Sequence, residues 1–264
     1  MHFSPIPLLR NTGFALTLAA GFVAQAQAAD PTPPKPLPML ECRRATGPLQ
    51  IDGLGTDPAW KQAATIRHFA PHWKGTPAHS QTTAKLLWDD QYLYFFADMQ
   101  DHDLYADVTE QDGEAWTNDV FELFFKPSRD LRGYYEFEVN AANTHMEMYL
   151  PSRGSGGYRR WARAHKFGWT TAVRLRGELN SADTQAPAAE GWSVEGRIPW
   201  SDFAPTGGRP EPGAVWWCAL CRYDFSKELE APELTSSAPL RQPNFHLYED
   251  YGELRFVAAP AQSE

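Results

Sequence analysis

The stretch that decides the fold reads WTNDVFELFF over residues 116–125. Its second half, from residue 120 onward, is dense in β-branched and aromatic side chains, which is typical of a buried strand. Because side chains alternate along a strand, Glu122 and Phe124 face one way and the odd-numbered residues face the other. A carboxylate in so apolar a run must reach a wet cleft or a partner, since burying an unpaired charge is costly.

Trp116 lies just before this predicted strand, among turn-type residues, so its ring can lie flat beside Glu122. An aromatic plane suits the C–H face of a pyranose, and a carboxylate accepts hydrogen bonds from sugar hydroxyls. The pair therefore indicates a sugar site. The alternative from these residues alone is that Trp116 is a lid on the core and Glu122 an ion-pair partner, because aromatic residues are usually buried.

The rest of the chain repeats the strand pattern. Short apolar or alternating segments lie between turns, and 22 prolines and 19 glycines favour turns over long helices. We expect an all-β fold, an antiparallel β-sandwich of jelly-roll-like type with two packed sheets and short helical turns. Further strands are predicted at residues 49–51, 82–88, 92–99, 133–141, 143–150, 170–175, 192–198, 215–223 and 252–257, a helical turn at 57–64 and loops at 154–161 and 228–241.

Length and charge narrow the function class. The chain has 264 residues, 42% of them hydrophobic and 13% aromatic, which is enough for one large domain. Its formal net charge of −9 argues against nucleic acid as a partner. Ten tryptophans fit either a carbohydrate-facing surface or an aromatic core.

The amino-terminal segment differs in composition from the rest. Arg10 precedes an apolar run at 14–24 and small residues at 26–29, which predicts a secretory signal peptide over residues 1–29. A proline-rich linker at 30–40, a single domain at 41–259 and a tail at 260–264 are expected to follow. Since no second apolar run is long enough to span a bilayer, we expect a periplasmic or extracellular protein without membrane association after cleavage.

The chain carries Cys42, Cys218 and Cys221. An exported location permits disulfides, and an odd count leaves at least one thiol unpaired. Cys218 and Cys221 are an odd number of positions apart on a predicted strand, so they face opposite sides and cannot bond each other. Because Cys218 shares the apolar face of its strand, we expect Cys42, if bridged, to pair with Cys221.

An acidic loop follows the predicted strand at 92–99. Asp101 and Asp103 begin it, and further carboxylates extend to Glu114. Carboxylate oxygens are calcium ligands, although the loop lacks the glycine and spacing of a helix–loop–helix calcium site. Asp101 and Asp103 are therefore candidate ligands for a structural calcium ion, and a solvated acidic loop is the alternative.

Six segments together resemble the carbohydrate-binding module family 9 type of domain, in its stand-alone exported branch. They keep the family's order, and the resemblance implies a β-sandwich that binds sugars between two aromatic planes, with structural calcium in some members. The segments are IDG at 51–53 with AW at 59–60, LWDD at 87–90 with LY at 93–94, NDVFELF at 118–124, YYEFEVNA at 134–141, GWSVE at 191–195 with IPW at 198–200, and YGEL at 251–254.

The resemblance also implies roles for single residues. Trp116 matches a stacking tryptophan, Glu122 a carboxylate that accepts from sugar hydroxyls, and Asn140 an asparagine on the neighbouring strand. Phe245 is the candidate for the second plane, and the chain departs at Glu138, where characterised sugar-binding members carry arginine. The expected binding set is Trp116, Asn118, Glu122, Glu138, Asn140, Asn244, Phe245 and His246, with Trp161 and Arg222 at the rim.

These residues lead us to expect a secreted, non-catalytic protein that binds an oligosaccharide or polysaccharide during polysaccharide degradation, beside a glycoside hydrolase partner. Two alternatives stay open. Glu122 and Glu138 on neighbouring strands could form the carboxylate pair of a glycoside hydrolase. A haem-binding electron-transfer domain could use His145 with Met99, Met146 or Met148, although the sequence has no C-x-x-C-H motif.

The signal peptide can be tested directly. Intact mass measurement of protein secreted by an expression host should show a chain beginning near Ala29 or Asp30, because the small residues at 26–29 form the cleavage site. A secreted product that still begins at Met1 would contradict this prediction.

Overall fold

A computed structural model describes residues 37–162, 164–182 and 187–258. The predicted signal peptide, most of the linker and the predicted tail lie outside these residues. The described strands are β1 (Leu40–Arg44), β2 (Thr82–Trp88), β3 (Tyr92–Met99), β4 (Val120–Lys126), β5 (Tyr134–Asn140), β6 (His145–Leu150), β7 (Thr170–Arg176), β8 (Gly191–Pro199), β9 (Val215–Asp224), β10 (Glu233–Ser236) and β11 (Gly252–Val257).

Helical structure in the described residues is short. It comprises the α-helix α1 (Tyr158–Ala162) and 3-10 helices at Pro58–Gln62, His72–Lys74, Ala115–Thr117, Trp200–Thr206 and Tyr248–Asp250. The helical turn expected from residue 57 onward is therefore present, with a proline in its first turn. No helix in the described ranges has the length and apolar character needed to cross a membrane.

All the described strands belong to one hydrogen-bonded sheet, which confirms the all-β prediction. The strand order is β6-β5-β4-β9-β11-β1-β2-β3-β8-β7, and β10 also pairs with β9. Pairing is antiparallel except at β1, which runs parallel to both of its neighbours, β11 and β2. The described strands thus form one curled path and not the two separate sheets expected, because β1, which the sequence pattern did not reveal, pairs with both β11 and β2.

The sheet curls around an aromatic core. Phe95 of β3 stacks on Phe121 of β4 with ring centroids 6.4 Å apart, although several strands separate them along the sheet. Trp216 of β9 packs edge-on against Phe256 of β11 at 5.0 Å and against Trp200 at 6.0 Å. Buried aromatic side chains of this size supply much of the apolar area that stabilises a domain.

The segments IDG at 51–53 and AW at 59–60 are hydrogen-bonded to Glu195 of β8. The carboxylate of Glu195 is buried, and it accepts hydrogen bonds from Trp60 Nε1 at 2.7 Å and from Gly53 N at 3.0 Å. Gly53 has a φ of 83°, and an added Cβ would lie 2.9 Å from Ala172 O, so a side chain is excluded on both counts. The turn at 51–53 replaces the strand expected at 49–51.

β4 is buried on both faces, as its sequence predicted. Its odd-numbered residues join the aromatic core, whereas Val120 and Phe124 belong to a second apolar cluster on the outer face. Residues 238–251 cover part of that face, since Leu240, Phe245 and Tyr251 pack into the same cluster. A cleft remains on the part of the outer face that residues 238–251 leave uncovered.

Cys42 is not bridged, so the pairing with Cys221 that was expected for a bridged Cys42 does not form. All three thiols are free and buried, and Cys42 and Cys218 lie in the inner core while Cys221 lies in the outer cluster. The sheet itself separates Cys42 from Cys221. Burial raises the pKa of the Cys218 thiol to about 12, so this group stays un-ionised and unreactive.

This arrangement predicts the reactivity of the thiols. The folded protein should show almost no reaction with a thiol reagent in non-reducing buffer, and three thiols should react after denaturation without reductant. Peptide mapping that joins any two of the cysteines would contradict the structure.

Candidate binding cleft

A cavity of about 420 Å³ opens on the outer face of β4, β5, β6 and β9. Strand side chains form its floor, and three loop segments form its rim. The floor consists of Glu122, Phe124, Tyr134, Glu136, Glu138, Met146, Met148, Leu150 and Tyr223; the rim consists of Trp116, residues 153–156, Tyr158 and residues 243–246.

Strand register determines which side chains meet on the floor. Glu122 of β4 pairs with Glu138 of β5, and Glu138 pairs in turn with Met146 of β6. The next row on the same face places Phe124 beside Glu136. Because alternate residues of a strand share a face, two rows of the sheet bring three carboxylates together.

The three glutamates form a compact buried group. One oxygen from each lies within 4.8 Å of the others, and the exposed fractions are 2% for Glu122, 4% for Glu136 and 1% for Glu138. One oxygen each of Glu136 and Glu138, Oε2 in both, is buried without a hydrogen-bond partner. Such atoms destabilise the folded state unless a ligand or a proton satisfies them.

Burial raises the pKa of all three carboxyl groups above the ordinary value. For Glu122 the charge of Glu136 adds to burial, and for Glu138 the charges of both neighbours do so. For Glu136 the His246 ring, 3.9 Å from its Oε2, opposes the effect of burial. The cluster therefore holds protons more tightly than solvent-exposed glutamates do.

Trp116 forms one wall of the cavity. It lies half-buried in the short helix Ala115–Thr117, and its ring contacts Tyr158 edge-to-face with centroids 4.6 Å apart. The Tyr158 hydroxyl donates to Glu114 Oε1 at 2.9 Å. The aromatic group next to Trp116 is thus Tyr158, which the sequence pattern did not identify because it lies far along the chain, in a helix of only 5 residues.

Asn140 and Asn118 lie outside the cavity lining. Asn140 Nδ2 donates to Val108 O at 2.8 Å and to Asn118 Oδ1 at 2.9 Å, and its Oδ1 accepts from the backbone of Ala142 and Thr144. The Asn118 side chain donates from Nδ2 to Asp107 Oδ1 and accepts a hydrogen bond from the Val108 amide at Oδ1. The structure gives both asparagines buried partners within the protein, so their side chains position the segment that carries Trp116.

The segment 243–246 reaches the rim as expected, but Phe245 does not present a free plane. Its side chain is 3% exposed and packs edge-on against Phe124 and Tyr223. His246 lies at the cavity and contacts the Tyr134 hydroxyl through Nδ1 at 3.0 Å. Asn244 lines the cavity beside them.

Arg222 and Trp161 are not among the residues that line the cavity. Arg222 is 1% exposed and points to the inner side of the sheet, where it pairs with Asp101 at 3.0 Å and Asp224 at 3.2 Å. Trp161 lies in α1, and its Nε1 donates to the carbonyl of Ser155, a rim residue. The expected rim position of Arg222 is therefore wrong because its partners lie on the inner side, whereas Trp161 contacts the rim through Ser155 without lining the cavity.

The acids expected to bind calcium are also arranged differently. Asp101 groups with Asp119 and Asp224, and Asp103 is not part of this cluster of the described residues. The Arg222 guanidinium already pairs with two of the three carboxylates, and both oxygens of Asp119 accept backbone hydrogen bonds. An internal cation thus occupies the role that calcium would fill, so these residues fit the ion poorly.

The residues proposed for haem do not converge. His145 is separated from Met146 and Met148 by the alternation of β6, and its Nε2 contacts Thr171 Oγ1 at 2.5 Å. Met99 lies in the inner core. His145 and the two methionines of β6 therefore lie on opposite faces of the sheet and cannot form an axial pair, and the His145 ring packs against Trp169 with centroids 4.5 Å apart.

Comparison with known proteins shows a matching family model and solved structures of similar fold. A family model described as carbohydrate family 9 binding domain-like matches residues 51–257. A carbohydrate binding module family 9 from Caldicellulosiruptor kristjanssonii in complex with cellotriose has a TM-score of 0.57 at 16% identity, covering 86% of this chain and 97% of that chain. The same organism's module in complex with glucose gives 0.55 at 17% identity, covering 85% and 99%. At this identity the likeness shows the fold alone.

A curated relative is much longer than the matched region. Exoglucanase XynX from Acetivibrio thermocellus is 29% identical over 134 residues, which is 46% of this chain and 12% of that protein. This chain therefore corresponds to a small part of that enzyme.

The raised pKa of Glu138 predicts how stability depends on pH. A carboxyl that binds its proton more tightly when folded destabilises the protein as pH rises above its ordinary value of 4.5. Glu138→Gln should therefore melt higher than the parent at pH 7–8, by at least ~1 kcal/mol or about 2–4 °C, and the gain should shrink toward pH 4.

Thermal melts of both proteins between pH 4 and 8 check this. Glu253→Gln removes one charge from an exposed position on β11 and should show no such pH-dependent gain. A Glu138→Gln variant that is equally or less stable at pH 8 would contradict the picture of an uncompensated buried carboxylate.

Proposed function

Because the chain belongs to the carbohydrate family 9 binding domain-like family, we propose that its cleft binds a sugar, which stacks on Trp116 and hydrogen-bonds to Glu122. The observation that carries the proposal is one cavity with an aromatic wall and a floor of buried carboxylates. A pyranose ring has an apolar face, which suits the aromatic wall, and hydroxyl groups at its edge, which suit the carboxylates. The solved modules of similar fold in complex with cellotriose and glucose support the same ligand class.

Some of these residues would contact the sugar, and others would hold the contacting residues in place. Trp116, Glu122, Glu138, Asn244 and His246 line the cavity and act as contacts. Asn118 and Asn140 act by holding the Trp116 segment in place. Tyr158 adds a second aromatic edge beside Trp116, in place of the stacking plane expected from Phe245.

Binding without catalysis is better supported than hydrolysis. A glycoside hydrolase needs one ionised and one protonated carboxyl, which requires environments that separate their pKa values. Burial is the main cause that raises the pKa of both Glu122 and Glu138, so their environments do not set one apart as the acid and the other as the nucleophile. Export, and action beside a glycoside hydrolase in polysaccharide degradation, are further proposals supported by the amino-terminal sequence and by the exoglucanase relative.

Trp116→Ala tests the site. The substitution should weaken binding of cello-oligosaccharides about tenfold or more, because aromatic stacking contributes roughly 1–3 kcal/mol. Isothermal titration calorimetry measures the affinity, and a thermal melt shows whether the fold survives.

Trp73→Ala is a matched control. Trp73 is also half-buried in a three-residue 3-10 helix and packs on the same apolar cluster, but it does not line the cavity. Its affinity should equal that of the parent. Equal losses in both variants, or unchanged binding by folded Trp116→Ala protein, would place the sugar site elsewhere.

A further inference from the structure

The floor of the cleft groups three carboxyl side chains without an internal lysine or arginine from the described part of the chain. Among the described residues, no lysine or arginine forms an ion pair with Glu122, Glu136 or Glu138, and the one basic group near them is His246, 3.9 Å from Glu136. The other basic residue of the lining, Arg153, pairs with Glu249 at the rim. On the inner side of the sheet, by contrast, Arg222 forms ion pairs with Asp101 and Asp224.

Two atoms of this floor lack hydrogen-bond partners. Glu136 Oε2 and Glu138 Oε2 belong to side chains that are 4% and 1% exposed, and both side chains line the cavity. An ionised carboxylate accepts hydrogen bonds but cannot donate one, so the partner of these oxygens in the ionised state must be a donor. Three carboxylates within 4.8 Å of one another match the three N–H donors of one primary ammonium group.

The size and walls of the cavity indicate what carries that donor. A single metal ion would leave most of about 420 Å³ unfilled. The surrounding Trp116, Phe124, Met146 and Met148 offer apolar and polarisable contacts, which suit a carbon skeleton rather than water. Aromatic side chains beside an acidic floor also favour an organic cation. The occupant is therefore an organic molecule with a positive group at one end.

We propose that the cleft selects amino sugars with a free amine, whose ammonium group binds among Glu122, Glu136 and Glu138, over neutral sugars of the same size. This inference rests on the proposed function, because the ring stacks on Trp116 in both cases. The formal net charge of −9 reinforces attraction of a cation, while the buried carboxylates supply the selectivity. An acetylated amine loses the charge and two of its three donors, so it should bind like a neutral sugar.

The test compares three sugars of equal length by calorimetry at pH 6.5 with a chelator present: a glucosamine trimer, its N-acetylated form and cellotriose. The glucosamine trimer should bind at least tenfold more tightly than the other two. Glu138→Gln should lower the ratio of glucosamine to cellotriose affinity about tenfold, and Glu136→Gln, a second change in the same cluster, should do the same. Glu253→Gln, which removes an exposed charge, should leave the ratio unchanged.

Each other outcome overturns the inference in a distinguishable way. Equal affinity for the three sugars would refute the preference while leaving the proposed function intact. No binding of any sugar by folded protein would refute both. A ratio that falls equally in Glu253→Gln would show general attraction of cations. A divalent ion that binds without chelator, displaces the glucosamine trimer and is lost in Glu138→Gln would assign the carboxylates to a metal.

Discussion

The pairing of β4 with β5 and β9 is the constraint on which the rest of the structure depends. β4 is buried on both faces, so its register places one set of side chains in the aromatic core and the other on the floor of the cleft. A slip by one residue would move Glu122 into the core and Phe121 into the cleft. Stability and binding chemistry thus depend on the same hydrogen bonds.

The two acidic clusters of the sheet show how location changes the role of a carboxylate. On the inner side, Asp101 and Asp224 both pair with the one guanidinium group of Arg222. On the outer side, Glu136 and Glu138 keep unpaired oxygens at a cavity. Buried charge without a partner costs stability, and such costs concentrate where a ligand can offset them.

The segments that carry the family resemblance mostly support the fold rather than the ligand. Glu195 and Gly53 hold a turn, and Asn140 with Asn118 anchors the loop that presents Trp116. Strand alternation around Glu138 also predicts that Glu136 shares its face, so this third carboxylate was within reach of sequence reasoning. Tyr158 was not, because the helix α1 has only 5 residues, too few to show a periodicity from which a contact can be inferred.

The sequence by itself determined the all-β class, the strands around the cleft and the faces on which Glu122, Glu138 and Phe124 lie, since apolar alternation is a local property of the chain. Only the tertiary structure decided that β1 joins the sheet edges, that Phe245 is buried and that Arg222 turns to the inner acids. Each of these depends on contacts between distant segments, where packing and charge pairing choose among conformations that are locally equivalent.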